Sequence, residues 1–118
     1  MSWRTLQDQV AALAQWLRAA GVGPGDRVVA YLPNIPQTIV AFLATVSVGA
    51  VWSVCSPDMG APTVLDRFRQ IDPKVLIAVD GYHWGGKRFD RREAVATLLD
   101  GLPSVERCVL LPLSLIHI

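Results

Sequence analysis

The chain has 118 residues, enough for one domain with its own core. Hydrophobic residues make up 52% and charged residues 18%, below the roughly 25% charged share of an average domain, which suits a chain whose outer faces are covered by further protein. The net charge is +1, so the chain as a whole offers no electrostatic footprint for nucleic acid or for an anionic membrane, and neither is expected as a partner.

Ser2 is placed to cap a first helix. Its apolar positions Leu6, Val10, Leu13 and Leu17 recur at four- and three-residue spacing, and Arg4, Gln7, Gln15 and Arg18 are left for the wetter side. Gly21 to Gly25 ends that helix, and Val28 to Leu32 reads as a strand whose near-continuous apolar character implies burial on both faces. Pro36 can open a second helix over about Gln37 to Val48, because its missing N–H would be unsatisfied in the first turn anyway.

Gly49 stops that helix, and Ala50 to Cys55 reads as a second strand. A third helix is expected over about Ala61 to Ile71, a break at Asp72-Pro73, and a third strand over Lys74 to Val79. Arg92 to Leu99 reads as a shorter helix and Arg107 to Leu111 as a fourth strand. Strands alternating with helices in this way predict an α/β fold with a parallel sheet. The longest apolar run, Ile39 to Val54, is broken by Thr45, Ser47, Gly49 and Ser53 and falls short of a membrane span. The N-terminus lacks the basic region and apolar core of a signal peptide. Cys55 and Cys108 stand alone, which indicates neither zinc nor a disulfide framework and fits a reducing cytoplasm.

Ligands of open parallel sheets gather at the carboxyl ends of the strands. Three segments qualify: Pro33 to Pro36, Ser56 to Gly60, and Gly81 to Phe89. The first reads as structural, since its prolines fix the chain and Asn34 is a turn-forming neighbour of a helix start. The second reads from local chemistry alone as a strand-to-helix turn with Asp58 or Ser56 as a cap. The third is taken as a loop in which two glycines let a phosphate approach Lys87; Arg88, Arg91 and Arg92 add positive charge, for which a solvated helix start is the commoner explanation. His83, between two aromatic residues, reads as a packing or surface residue and is assigned no role. Gly81 to Lys87 also has the spacing G-x-x-x-x-G-K of a P-loop, but Arg88 stands where a magnesium-binding Ser or Thr is needed, and three bulky residues would crowd the phosphates.

Several stretches carry a family resemblance: VWSVCSPDMG at 51–60, DRFRQI at 66–71, PKVLIAVDGYHWGGK at 73–87, and upstream Asp26-Arg27-Val28 and Leu32 to Pro36. They resemble the acetoacetyl-CoA synthetases of the AMP-forming acyl-CoA synthetase superfamily over about Ser2 to Pro112. The resemblance implies a partial N-terminal AMP-binding domain over 1–112. It also implies a parent enzyme that converts acetoacetate, ATP and coenzyme A, with Mg2+, to acetoacetyl-CoA, AMP and pyrophosphate through an acyl-adenylate.

It places Ser56, Pro57 and Asp58 in the stretch that passes beside coenzyme A. Lys87 falls where relatives carry a basic residue that meets the 3'-phosphate; contact with that phosphate and plain solvated surface both remain open for it. The family's Ser/Thr/Gly-rich loop, later acidic and aromatic motifs and small C-terminal domain lie outside this sequence, so no catalytic residue is assigned and the segment alone is expected to be inactive. Leu113 to Ile118 no longer resemble the family and read as the translation of a library adapter, the other reading being one apolar strand from Val109 to Ile118 interrupted by Pro112. Alternatives to the main reading are an acetyl-CoA or other short-chain acyl-CoA synthetase, a P-loop nucleotide-binding module, or a non-enzymatic interaction domain.

Overall fold

The structure, a computed structural model, describes residues 2–112; the expectation for 113–118 lies outside them. The order of elements is α1 (Trp3–Ala19), β1 (Arg27–Tyr31), α2 (Pro36–Ser47), β2 (Val51–Cys55), α3 (Ala61–Arg69), β3 (Val75–Val79), β4 (Gly81–Trp84), β5 (Lys87–Asp90), α4 (Arg92–Gly101) and β6 (Arg107–Leu111). The expected α/β fold with a parallel sheet is present, and the four strands and four helices that were expected fall within two residues of the positions read from the sequence; β4 and β5 were not expected.

α1 begins where the Ser2 hydroxyl accepts from the Thr5 backbone N–H at 3.1 Å. It ends in a Schellman turn: Val22 N–H donates to the Leu17 carbonyl and Gly21 N–H to that of Arg18, with Gly21 at φ +87° as the left-handed residue such a turn requires. Leu17 and Val22 are both buried there.

β1, β2, β3 and β6 form one sheet in the order β2-β1-β3-β6, with every neighbouring pair parallel. Successive residues of the central strands point to opposite faces. Val28, Ala30, Val75, Ile77 and Val79 join one apolar cluster with Ala14 and Leu17 of α1 and Ala41 and Ala44 of α2. Val29, Tyr31, Leu76 and Ala78 join the other with Val64 and Phe68 of α3 and Val95 and Leu98 of α4. Both faces of β1 and β3 are therefore buried, which is why these strands carry no polar alternation. The edge strand β2 is different: Val51 and Val54 are exposed, as are Ile39, Phe42 and Val46 of the adjoining α2.

The segment from Gly81 to Phe89, read from sequence as a loop, is an antiparallel hairpin of β4 and β5 in the register Gly81↔Asp90, Tyr82↔Phe89, His83↔Arg88 and Trp84↔Lys87. Its two-residue turn is Gly85-Gly86, at φ +58° and +78°. A Cβ at either glycine would meet nothing within 4 Å, so the requirement is conformational and not one of space. The same geometry removes the P-loop alternative: a strand, a tight turn and a second strand cannot present a row of amides to a phosphate ahead of a helix.

The sheet topology fixes where a ligand can sit. From β1 the chain steps outward to β2, then crosses back to β3 and on to β6. α2, leaving β1, packs on one face, and α4, reached from β3, packs on the other. The connections diverge between β1 and β3 and open a crevice at their carboxyl ends.

Candidate functional site

A cavity of about 490 Å³ occupies that crevice. Three connections build it: Pro33, Asn34 and Ile35 after β1, Ser56, Pro57 and Asp58 after β2, and Tyr82, His83, Phe89 and Arg91 after β3. Three of the four residues singled out by the resemblance thus line one cavity. Lys87, the fourth, is exposed and is not in the lining. By the two-residue period of a strand it shares a hairpin face with Phe89, which does line the cavity, and so lies one step further out toward the turn.

Ser56 to Met59 is a tight turn closed by the Met59 N–H donating to the Ser56 carbonyl at 3.1 Å. Neither Ser56 nor Asp58 caps the following helix: the N-cap of α3 is Gly60, with no side-chain hydrogen bond. The cap reading of these two residues is corrected accordingly, since the extra residues of the turn place them too far upstream. Their side chains are exposed while Pro57 is buried. What fixes the turn is its backbone. The Tyr31 hydroxyl, at the end of β1, lies 3.0 Å from both the Pro57 and the Met59 carbonyl oxygens, so its one proton is shared between them. Arg91 Nε donates to the same Pro57 oxygen at 2.7 Å.

Tyr31 is 1% exposed. Burial pushes its hydroxyl above the usual pKa of 10.0, and the nearby Arg91 charge offsets part of that rise. On the opposite wall, the Tyr82 and Phe89 rings stack at 4.9 Å with an interplanar angle of 16°, a direct consequence of their being cross-strand partners. The Arg91 guanidinium lies 5.4 Å from the Tyr82 ring centre and 5.7 Å from that of Phe89.

The segment Pro33 to Pro36 reads from the sequence as structural, and three of its residues, Pro33, Asn34 and Ile35, also line the cavity. Arg91 was counted as diffuse charge at a helix start, whereas its neighbour Arg92 takes that part, pairing with Asp90 at 2.6 Å. That pairing holds the exposed Asp90 carboxyl well below the usual carboxylate range. The signal that could have found Arg91 is the pair Tyr82 and Phe89 around a Gly-Gly turn, which reads as a hairpin and puts the next residue back at its base.

The stacked rings suit a ligand with a planar base. Asp58 is the one carboxylate among the lining residues, and no three His, Cys, Asp or Glu among the described residues form a metal-holding group. A larger hollow, about 710 Å³, lies between the starts of α1 and α2, lined by residues such as Trp3, Leu6, Ile35 and Ile39. It has no titratable side chain in its lining and does not sit at the switch point, so the smaller cavity is the better candidate for chemistry. No helix among the described residues is long and apolar enough to cross a membrane.

The sequence profile of a family described as AMP-binding enzyme matches residues 1–114. The acetoacetyl-coenzyme A synthetase of Rhizobium meliloti is 54% identical over 108 residues, covering 89% of this chain and 16% of its own length. That of Mus musculus is 44% identical over 112 residues, covering 95% of this chain and 17% of its own. Among solved structures, an acetoacetyl-CoA synthetase from Streptomyces lividans matches with a TM-score of 0.94 and 57% identity, over 95% of this chain and 17% of that one. The chain spans 16–17% of the length of these relatives.

Proposed function

This chain belongs to the AMP-binding enzyme family, and from that premise we propose that the whole polypeptide is an ATP-dependent acid:CoA ligase acting on acetoacetate, with this segment as sheet scaffold and one wall of the coenzyme A channel. The observation that carries the reading is the 57% identity at a TM-score of 0.94 with an acetoacetyl-CoA synthetase. A carboxylate is a poor electrophile, so the reaction runs in two halves. The acid oxygen attacks the α-phosphorus of ATP and expels pyrophosphate; the coenzyme A thiol then attacks the acyl carbon and expels AMP. Magnesium, when bound, neutralises phosphate charge in the first half, at residues other than those described here.

The described residues serve the second half. Ser56, Pro57 and Asp58 present the turn along which coenzyme A passes. The Tyr82 and Phe89 rings offer an apolar surface for its adenine or pantetheine end, and Lys87, one step out on the hairpin, meets the 3'-phosphate. The two free cysteines, one buried and one exposed, suit a cytoplasmic setting.

The test is made on the full-length polypeptide. Acetoacetate-dependent exchange of pyrophosphate into ATP, and acetoacetyl-CoA formation on adding coenzyme A, are the expected results. Exchange driven by acetate or another short acid in place of acetoacetate would assign the polypeptide to a different acyl-CoA synthetase, and no acid-dependent exchange would overturn the ligase reading.

A further inference from the structure

Arg91 is the point at which two walls of the cavity are joined. Its Nε holds the Pro57 carbonyl of the turn after β2 at 2.7 Å. Its Nη2 lies 3.4 Å from the Tyr82 hydroxyl, and the guanidinium carbon lies 5.4 Å and 5.7 Å from the centres of the stacked Tyr82 and Phe89 rings of the hairpin after β3. The Arg91 N–H donates to the Asp80 carbonyl at 2.8 Å and Nη1 to the Asp90 carbonyl at 3.3 Å, so the residue is itself anchored at both ends of the hairpin. A lysine could not reproduce this, because the contacts use three separate guanidinium nitrogens, Nε, Nη1 and Nη2, aimed at three different oxygens.

We propose that Arg91 is a positioning residue that locks the Ser56–Met59 turn to the β4–β5 hairpin and thereby sets the spacing between the two walls that receive coenzyme A. The proposal rests on the ligase reading for its ligand but not for its mechanics. Half-buried and already committed to carbonyl and hydroxyl oxygens, the guanidinium acts through the Pro57 backbone and the rings and need not touch coenzyme A.

The experiment uses the full-length polypeptide and its Arg91→Met and Arg91→Lys variants, with two readouts. The first is amide hydrogen exchange, which needs no activity. In both variants the Met59 amide, which donates to the Ser56 carbonyl, should exchange at least about tenfold faster, the loss expected when one charge-assisted hydrogen bond no longer restrains an opening, while α1 and β1 are unchanged. Unchanged exchange at this amide would overturn the proposal, as would faster exchange throughout the sheet, which would mark Arg91 as general scaffold. The second readout is kinetic. The KM for coenzyme A should rise about tenfold in Arg91→Met, with little recovery in Arg91→Lys, while acetoacetate-dependent pyrophosphate exchange without coenzyme A stays within about twofold of the parent. Equal losses in both half-reactions, or full recovery by lysine, would overturn it. A parent polypeptide with no exchange activity would sink the ligase reading and leave the hydrogen-exchange result to decide Arg91.

Discussion

The Tyr31 hydroxyl reaches from the end of β1 to the Pro57 carbonyl across the sheet edge, at 3.0 Å, and shares its proton with Met59 at the same distance. A buried tyrosine needs a partner for its hydroxyl, and the turn supplies two. One side chain of a central, buried strand therefore fixes the backbone of the candidate ligand wall.

Tyr31→Phe keeps the ring and removes that tie. The expected cost is about 1 kcal/mol of stability, the typical net worth of one hydrogen bond, because Arg91 still serves Pro57 while Met59 loses a donor. Denaturant unfolding measures it. An unchanged midpoint would mean that the turn is held without Tyr31.

The same residue sets a pH dependence. Its folded-state pKa is raised above 10.0 by burial, so the folded state binds the phenolic proton more tightly than the unfolded chain does. The stability this contributes is complete below about pH 10 and is lost as pH rises through the folded-state value. Alkaline unfolding between pH 9 and 12 should therefore fall more steeply in the parent than in Tyr31→Phe, and parallel curves would contradict the assignment.

The hairpin turn gives a conformational prediction. Gly86, at φ +78°, should tolerate alanine poorly, at roughly 1–2 kcal/mol for a left-handed non-glycine residue. Gly85→Asn should be nearly neutral, since Asn-Gly is a favoured pair in such turns. Hydrogen exchange across β4 and β5 reads both, and equal tolerance of the two changes would argue against the turn.

The legibility of the fold follows from burial. Val28 to Ala30 and Val75 to Val79 are apolar throughout because both sheet faces are covered, and Gly21, Gly49 and Pro36 mark helix limits through their backbone chemistry. The hairpin was lost because Tyr82 to Phe89 is short, mixed in polarity and only half buried, so neither a helical nor a two-residue pattern stands out. The site was legible where it depends on a recognisable stretch, Ser56 to Asp58. It was less legible where it depends on contacts between distant segments: Arg91 reaches Pro57, whereas Arg92 pairs with its near neighbour Asp90.

A coenzyme A wall whose outer end is Lys87 is tested most directly by the KM for coenzyme A against that for dephospho-coenzyme A in the full-length polypeptide and in Lys87→Glu. A charge-assisted contact is worth about 1.5–3 kcal/mol, so the charge reversal should raise the KM for coenzyme A roughly tenfold or more while the KM for dephospho-coenzyme A, which lacks the 3'-phosphate, barely moves. Equal KM changes for the two ligands, or none for either, would contradict the account.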